Sequence, residues 1–157
     1  LMVIPYIFLT VGIIELSLMY ASASLLEGAT SSAARLVRTG QVQQAEGQDP
    51  EEMFRERLCG YAEILIDCDD VVFEAIEMAS FGEFDVLSPQ YDDDGNMVSQ
   101  GFTTGGSGDR VLIRVSYQYQ MMTPFVGPLL AGADNTRTFM STIVLQNEPY
   151  DFSGAGS

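Results

Sequence analysis

LMVIPYIFLTVGIIELSLMYASASLLEGATSSAARLVRTGQ, residues 1–41, decides the architecture of this chain. Up to Leu26 the only charged side chain is Glu15, set among apolar and small residues. A helix of about 20 such residues crosses a hydrocarbon layer of ~30 Å, so the stretch reads as a membrane span. The rival reading is a secretory signal peptide. Its usual form opens with a basic region, whereas here no basic residue precedes Arg35, so the segment is read as part of the mature protein. The pattern predicts one helix from Leu1 to about Thr39, roughly 60 Å long at 1.5 Å per residue, interrupted by Pro5 and Gly12. Its first part is apolar all round. Its later part places Leu25, Ala29, Ala33 and Leu36 at helical spacing, so the helix leaves the membrane and lays one stripe on a folded domain. Gly40 is a natural stop, and a polar linker follows at 41–48.

Outside this arm the composition changes. Glu15 and Glu27 balance Arg35 and Arg38, so the whole net charge of −15 falls on the remainder of the 157 residues. All seven basic residues are arginines and there is no histidine. A basic footprint for phosphate backbones is missing, which argues against nucleic-acid binding. An acidic, lysine-free surface suits a salty exterior in which charge is screened. Cys59 and Cys68 lie close enough in sequence for a turn to join them. The anchor implies export, and export favours a disulfide over a buried thiol pair; two cysteines without histidine make a poor metal set.

Asp49-Pro50-Glu51-Glu52 opens a second helix: Asp49 caps, proline suits the first helical position, and Glu52 can reach back as a capping-box acid. Phe54, Leu58, Tyr61 and Leu65 form its apolar face, ending at about Ile66. It carries Cys59, and Cys68 follows in the turn, so a bond would pin the helix to the next strand. Three stretches then alternate with the period of two of half-buried strands. They are 71–81, where Phe73 and Ala75 oppose Glu74; 111–119, where Val111, Ile113, Val115, Tyr117 and Tyr119 oppose Leu112, Arg114, Ser116 and Gln118; and 137–145, where Phe139, Ser141, Ile143 and Leu145 share a side. A hairpin at 86–98, turning at Asp94-Gly95, would bring the antiparallel sheet to about four strands. The fold class is therefore α+β: a long N-terminal helix, then a small domain with one further helix and that sheet.

The acidic run Asp92, Asp93 and Asp94 invites a calcium reading. Aligning Gly95 with the EF-hand glycine puts Gln90 at the first ligand position and Gly101 where a bidentate glutamate belongs, so the motif fails and a solvated turn is the better reading. Residues 101–109, including Gly105 and Gly106, read as an exposed loop, and without a following lysine they make no phosphate cradle. Catalysis has little to work with: histidine is absent, and although glycosidases need only two carboxylates, no spacing singles out a pair. No catalytic, cofactor or metal residue is assigned. Glu15 is the informative residue, because a carboxylate among Ile13, Ile14, Leu16 and Leu18 is costly in lipid unless paired. The reading is a helix that packs on other helices through Glu15 and the small residues Gly12, Ser17, Ala21, Gly28, Ala29 and Ala33, with the partner of Glu15 outside this chain. The alternative is an acid snorkelling at an interface.

Pro5 with the apolar run to GIIEL (residues 12–16), SSAARLVRTGQ (31–41), RLCGYAEILIDC (57–68), GDRVLIRVSYQYQMMTP (108–124) and QNEPY (146–150) together resemble TadE-like proteins of tight-adherence pili. The resemblance covers nearly the whole chain through the order and spacing of its fragments. It implies a pilin-like subunit cut by a prepilin peptidase and held in the inner membrane. The helix (1–40), after a linker (41–48), would carry a periplasmic α+β domain (49–151) with a flexible tail (152–157), and assembly would place the subunit in an extracellular pilus or its initiating complex. It also implies paired cysteines, matched by Cys59 and Cys68, partners that are other pilins, no cofactor and no enzymatic activity. Members usually place a glutamate and phenylalanine just before the segment matching 1–5, and Glu15 matches the second glutamate of the arm. The alternative function is a tethered or pilus-tip adhesin using Asp92, Asp93, Asp94, Gly105 and Gly106 as contact loops.

Overall fold

In the computed structural model, residues 1–45, 47–85, 87–132 and 134–150 are described; the tail expected at 152–157 and Val86, where the hairpin was expected to begin, lie outside the described residues. In chain order the helices are α1 (Val3–Arg38), α2 (Gln41–Gln44), α3 (Pro50–Ala62) and α4 (Gly127–Ala131). The strands are β1 (Val71–Met78), β2 (Gln90–Tyr91), β3 (Met97–Val98), β4 (Arg110–Gln120) and β5 (Thr136–Gln146), and short 3₁₀ turns occupy Cys68–Asp70 and Phe81–Asp85.

The expected interruptions of α1 do not occur: the helix runs continuously for 36 residues through Pro5 and Gly12. Pro5 lies in the first turn, where a backbone N–H has no intrahelical acceptor to lose, and one glycine costs only about 1 kcal/mol against alanine. Gly40 ends the helix at φ 74°, in the left-handed region. A Cβ there would also come within 2.7 Å of the Tyr150 ring, so both backbone and packing call for glycine.

The expected linker is in part structured, since α2 forms a helical turn and buries Val42 in the core. Asp49 caps α3 by accepting from the Glu51 amide at 3.0 Å, with Pro50 as the first helical residue. The helix stops at Ala62, short of Ile66, and its buried face is Phe54, Leu58 and Ala62. Tyr61 and Leu65, expected on that face, are 52% and 37% exposed: a strict four-residue step from Phe54 leads to Ala62, Tyr61 falls on the flank beside Gly28, and Leu65 lies beyond the helix end. The Cys59–Cys68 disulfide, with Cα atoms 5.8 Å apart, ties α3 to the turn entering β1.

The main sheet is antiparallel with strand order β1-β4-β5, and β2 and β3 form a separate two-stranded hairpin. The expected four-stranded sheet is thus corrected to three strands plus two. The free edge of β1 is taken by residues 101–103: Ala75 N donates to Gly101 O at 3.1 Å and Thr103 N to Ala75 O at 2.8 Å, leaving the hairpin no place beside β1. One sheet face carries Phe73, Ala75, Ile113, Val115 and Leu145 and meets Leu26, Ala29, Ala33 and Val37 of α1 and Phe54 and Leu58 of α3 in a single core. Phe54, Phe73 and Phe102 pack together in it in tilted and edge-to-face contacts, with ring centroids 5.2 to 5.8 Å apart. The stripe of α1 centres on Leu26, Ala29, Ala33 and Val37, and the expected Leu25 and Leu36 flank it, partly buried.

The second sheet face departs from the half-buried pattern. Leu112, Arg114 and Ser116 of β4 and Glu74 of β1 are all buried, because β4 is the central strand and the long β1–β4 connection folds over this face. Arg114 pairs directly with Glu74, Arg114 Nη2 donates to Leu87 O at 2.6 Å, Gln100 N donates to Glu74 Oε2 at 2.9 Å, and Ser99 Oγ donates to Phe73 O at 2.9 Å. A buried charge pair with both carboxylate oxygens and both terminal guanidinium nitrogens hydrogen-bonded holds the connection down.

Candidate functional site

The site with the most unusual chemistry lies where α1 meets the segment after β4. Glu15 is 2% exposed although it sits in the apolar half of α1. Its Oε1 accepts from Met122 N at 2.9 Å and lies 3.4 Å from Tyr119 Oη. The partner of Glu15 therefore belongs to its own chain, which corrects the expectation of a partner outside it. The residue that sequence reading could not supply is Met122, whose contribution is a backbone amide, invisible in side-chain chemistry. One and two turns earlier on the same face of α1, a Cβ on Gly12 would stand 4.0 Å from Val126, and the rings of Phe8 and Phe125 meet edge-on at 6.0 Å. Phe8, Gly12 and Glu15 follow the i, i+4, i+7 spacing of one helical face, so 121–126 docks along a single stripe.

The other residues expected in helix packing divide between two faces. Ala29 and Ala33 are fully buried against the chain's own core, and Gly28 lies so close to Tyr61 that a Cβ would approach its ring to 3.0 Å. Ser17 and Ala21 stay exposed, Ser17 Oγ donating to Ile13 O within the helix. Of the seven, Ser17 and Ala21 alone lie on the uncovered face.

The two expected contact loops are built differently. Asp92, Asp93 and Asp94 are exposed, but the Asp92 carboxylate is committed to its own turn: Oδ1 accepts from Asp94 N at 3.0 Å and Asn96 N at 2.7 Å, and Oδ2 from Asn96 Nδ2 at 3.1 Å. These bonds, the Asn96 amide foremost, hold its pKa below the ordinary value of 3.8. Among the described residues no group of three or more acidic or cysteine side chains converges as a metal site would require. The 101–109 segment is less exposed than expected. Asn147 Nδ2 donates to Thr104 O and Gly106 O, both at 2.8 Å, Gln43 Nε2 donates to Thr104 O at 3.2 Å, and Gly105 packs against Asp109. Asn147 N also donates to Asp109 O and Glu148 N to Arg38 O, so the QNEP portion of the C-terminal segment clamps the end of α1 to this loop. Sequence reading gave Asn147 no such role, nor the buried Glu74–Arg114 pair; the signal available for the pair was an opposite-charge couple inside two strand patterns.

The arrangement thus offers a long apolar surface, a buried carboxylate used as a structural acceptor, and a domain closed by a disulfide and a clamp. No protein-family model, curated protein or solved structure matches the chain.

Proposed function

We propose that the chain is a TadE-like, membrane-anchored pilin subunit, placed by its helix in the inner membrane with its domain in the periplasm and then incorporated in a pilus or the complex that initiates one. The observation that carries the reading is α1 itself: a continuous helix of 36 residues, long and apolar enough to cross a membrane, whose second half packs as one stripe on a small disulfide-bonded α+β domain. Such a helix serves two states, a span in lipid and a packing rod between subunits, because its exposed faces before Glu27 are apolar or small. Ser17 and Ala21 lie on the face left free for neighbouring helices, and that face is the one a filament would use. The acidic surface of the remainder keeps the domain in water on one side of the bilayer. Non-enzymatic assembly, with other pilins as partners and a prepilin peptidase in maturation, follows from the same reading.

The test is isolation of native pili followed by mass spectrometry of their subunits. Recovery of this chain in stoichiometric or minor amounts supports the proposal. Its absence from pili, together with glycan affinity of the isolated chain, would favour a tethered binding module instead. Protease accessibility of the hairpin near Asp92 in spheroplasts checks the orientation, and an inaccessible hairpin would reverse it.

A further inference from the structure

Residues 121–132, MMTPFVGPLLAG, carry no charged side chain in a chain whose net charge is −15. Three of their large apolar groups point outward, Met122 and Phe125 at 72% exposed and Leu129 at 81%, while Met121 anchors the segment in the core. The conformation is fixed by packing. Gly127 N donates to Thr123 O, Asn135 Nδ2 donates to Met121 O at 2.9 Å, and Gly127 lies where any Cβ would collide with the Asn135 side chain. A fixed segment that displays apolar residues is built to be covered.

Its position on α1 identifies the cover. The segment touches the helix at Phe8, Gly12 and Glu15, within a stretch that exposes Ile4 farther along the same face and Ile7, Leu9, Ile13, Ile14 and Tyr20 on the others. Along α1 the first charged side chain open to solvent is Glu27, three turns beyond Glu15. Whatever plane the bilayer surface takes, the contact with 121–126 lies on the apolar side of Glu27. Glu15, the one charge inside the span, is shut off from lipid by that same contact, its Oε1 bonded to the Met122 amide.

We infer that the 121–132 segment is a membrane-inserted wedge: the folded domain sinks Met122, Phe125 and Leu129 into the acyl layer beside α1 and there satisfies Glu15. The inference rests on the anchoring role of α1. The occupant is lipid at the headgroup–acyl boundary, since the wedge and the span form one apolar surface whose rim carries Arg137, its Nη1 donating to Leu130 O at 3.1 Å, and such a boundary accepts apolar groups beside a basic one.

The chain contains no tryptophan, so single substitutions give clean reporters. Full-length protein with Phe125→Trp, Leu129→Trp, Ile4→Trp or Tyr91→Trp is reconstituted in phosphatidylcholine/phosphatidylglycerol vesicles, with folding checked by circular dichroism and an intact disulfide, and probed with bromine-labelled acyl chains. Blue-shifted emission and at least twofold quenching at 125 and 129, with no quenching at 91, is the expected result. Quenching at 4 without quenching at 125 and 129 overturns the wedge and leaves the anchor standing. Absence of quenching at 4 overturns the anchor itself. Blue-shifted but unquenched emission at 125 would mean that a second copy covers the segment, and would equally refute insertion in lipid.

Discussion

Replacing Arg114 by methionine isolates what the buried ion pair does. Methionine keeps most of the apolar stem and removes the guanidinium, leaving the Glu74 carboxylate, which is fully buried, held by the Gln100 amide. Removing one partner of a buried pair costs about 3–5 kcal/mol. For a domain of roughly 100 residues each kcal/mol lowers Tm by about 4 °C, so a drop of roughly 12–20 °C is expected. The double variant Glu74→Leu/Arg114→Met removes the stranded charge but leaves the Gln100 N–H and the Leu87 carbonyl without these partners, each costing about 1–3 kcal/mol. The Leu87 carbonyl loses its partner in Arg114→Met as well, so the double variant exchanges a stranded buried charge for one unpaired neutral amide, and its Tm should fall between that of Arg114→Met and that of the unsubstituted chain. The reason is local: the pair fastens the β1–β4 connection over the sheet, and the connection should loosen first. Thermal unfolding in detergent followed by circular dichroism gives the Tm values, and hydrogen exchange of the Gln100 amide reports the connection. A Tm within about 4 °C of the unsubstituted chain for Arg114→Met, or a double variant whose loss equals the sum of the two single losses, would refute the reasoning.

Glu15→Leu removes the acceptor of the Met122 amide and should weaken docking of the segment after β4 by about 1–3 kcal/mol, read as faster exchange of that amide in detergent, whereas Glu15→Gln keeps an acceptor oxygen and should exchange more slowly than the leucine variant. Equal exchange in all three proteins would show that Glu15 does not hold the segment. Cys59→Ser should lower domain stability by about 2–3 kcal/mol, measured by denaturant unfolding, because the closed loop is short; free thiols in native material would contradict the bond. The Asp92 carboxyl, followed by carbon NMR, should titrate below 3.8. A depressed folded pKa means that its turn contributes stability above the unfolded value and loses it as pH falls through the folded one, so the hairpin should stay ordered until acid below pH 3.8. A midpoint at or above 3.8 would contradict the hydrogen bonding of that turn.

Local pattern alone determined much of this protein. Hydropathy and helical spacing located α1 and its stop at Gly40, Asp49-Pro50 placed the start of α3, and alternation found the three strands of the main sheet, because each is encoded by residues near one another in sequence. Cysteine spacing joined to the export argument gave the disulfide. Tertiary structure decided the rest. Which face of β4 is buried depends on its central place in the sheet and on a connection from elsewhere, so Arg114 and Glu74 carried no readable sign of burial beyond their opposite charge. The hairpin stands apart from the sheet because residues 101–103 hold the edge of β1, a competition that alternation cannot express. Glu15 was legible as an anomaly in an apolar helix, but its partner is the amide of Met122, more than a hundred residues away, and every non-proline residue has a backbone amide. Only the folded chain selects which one arrives.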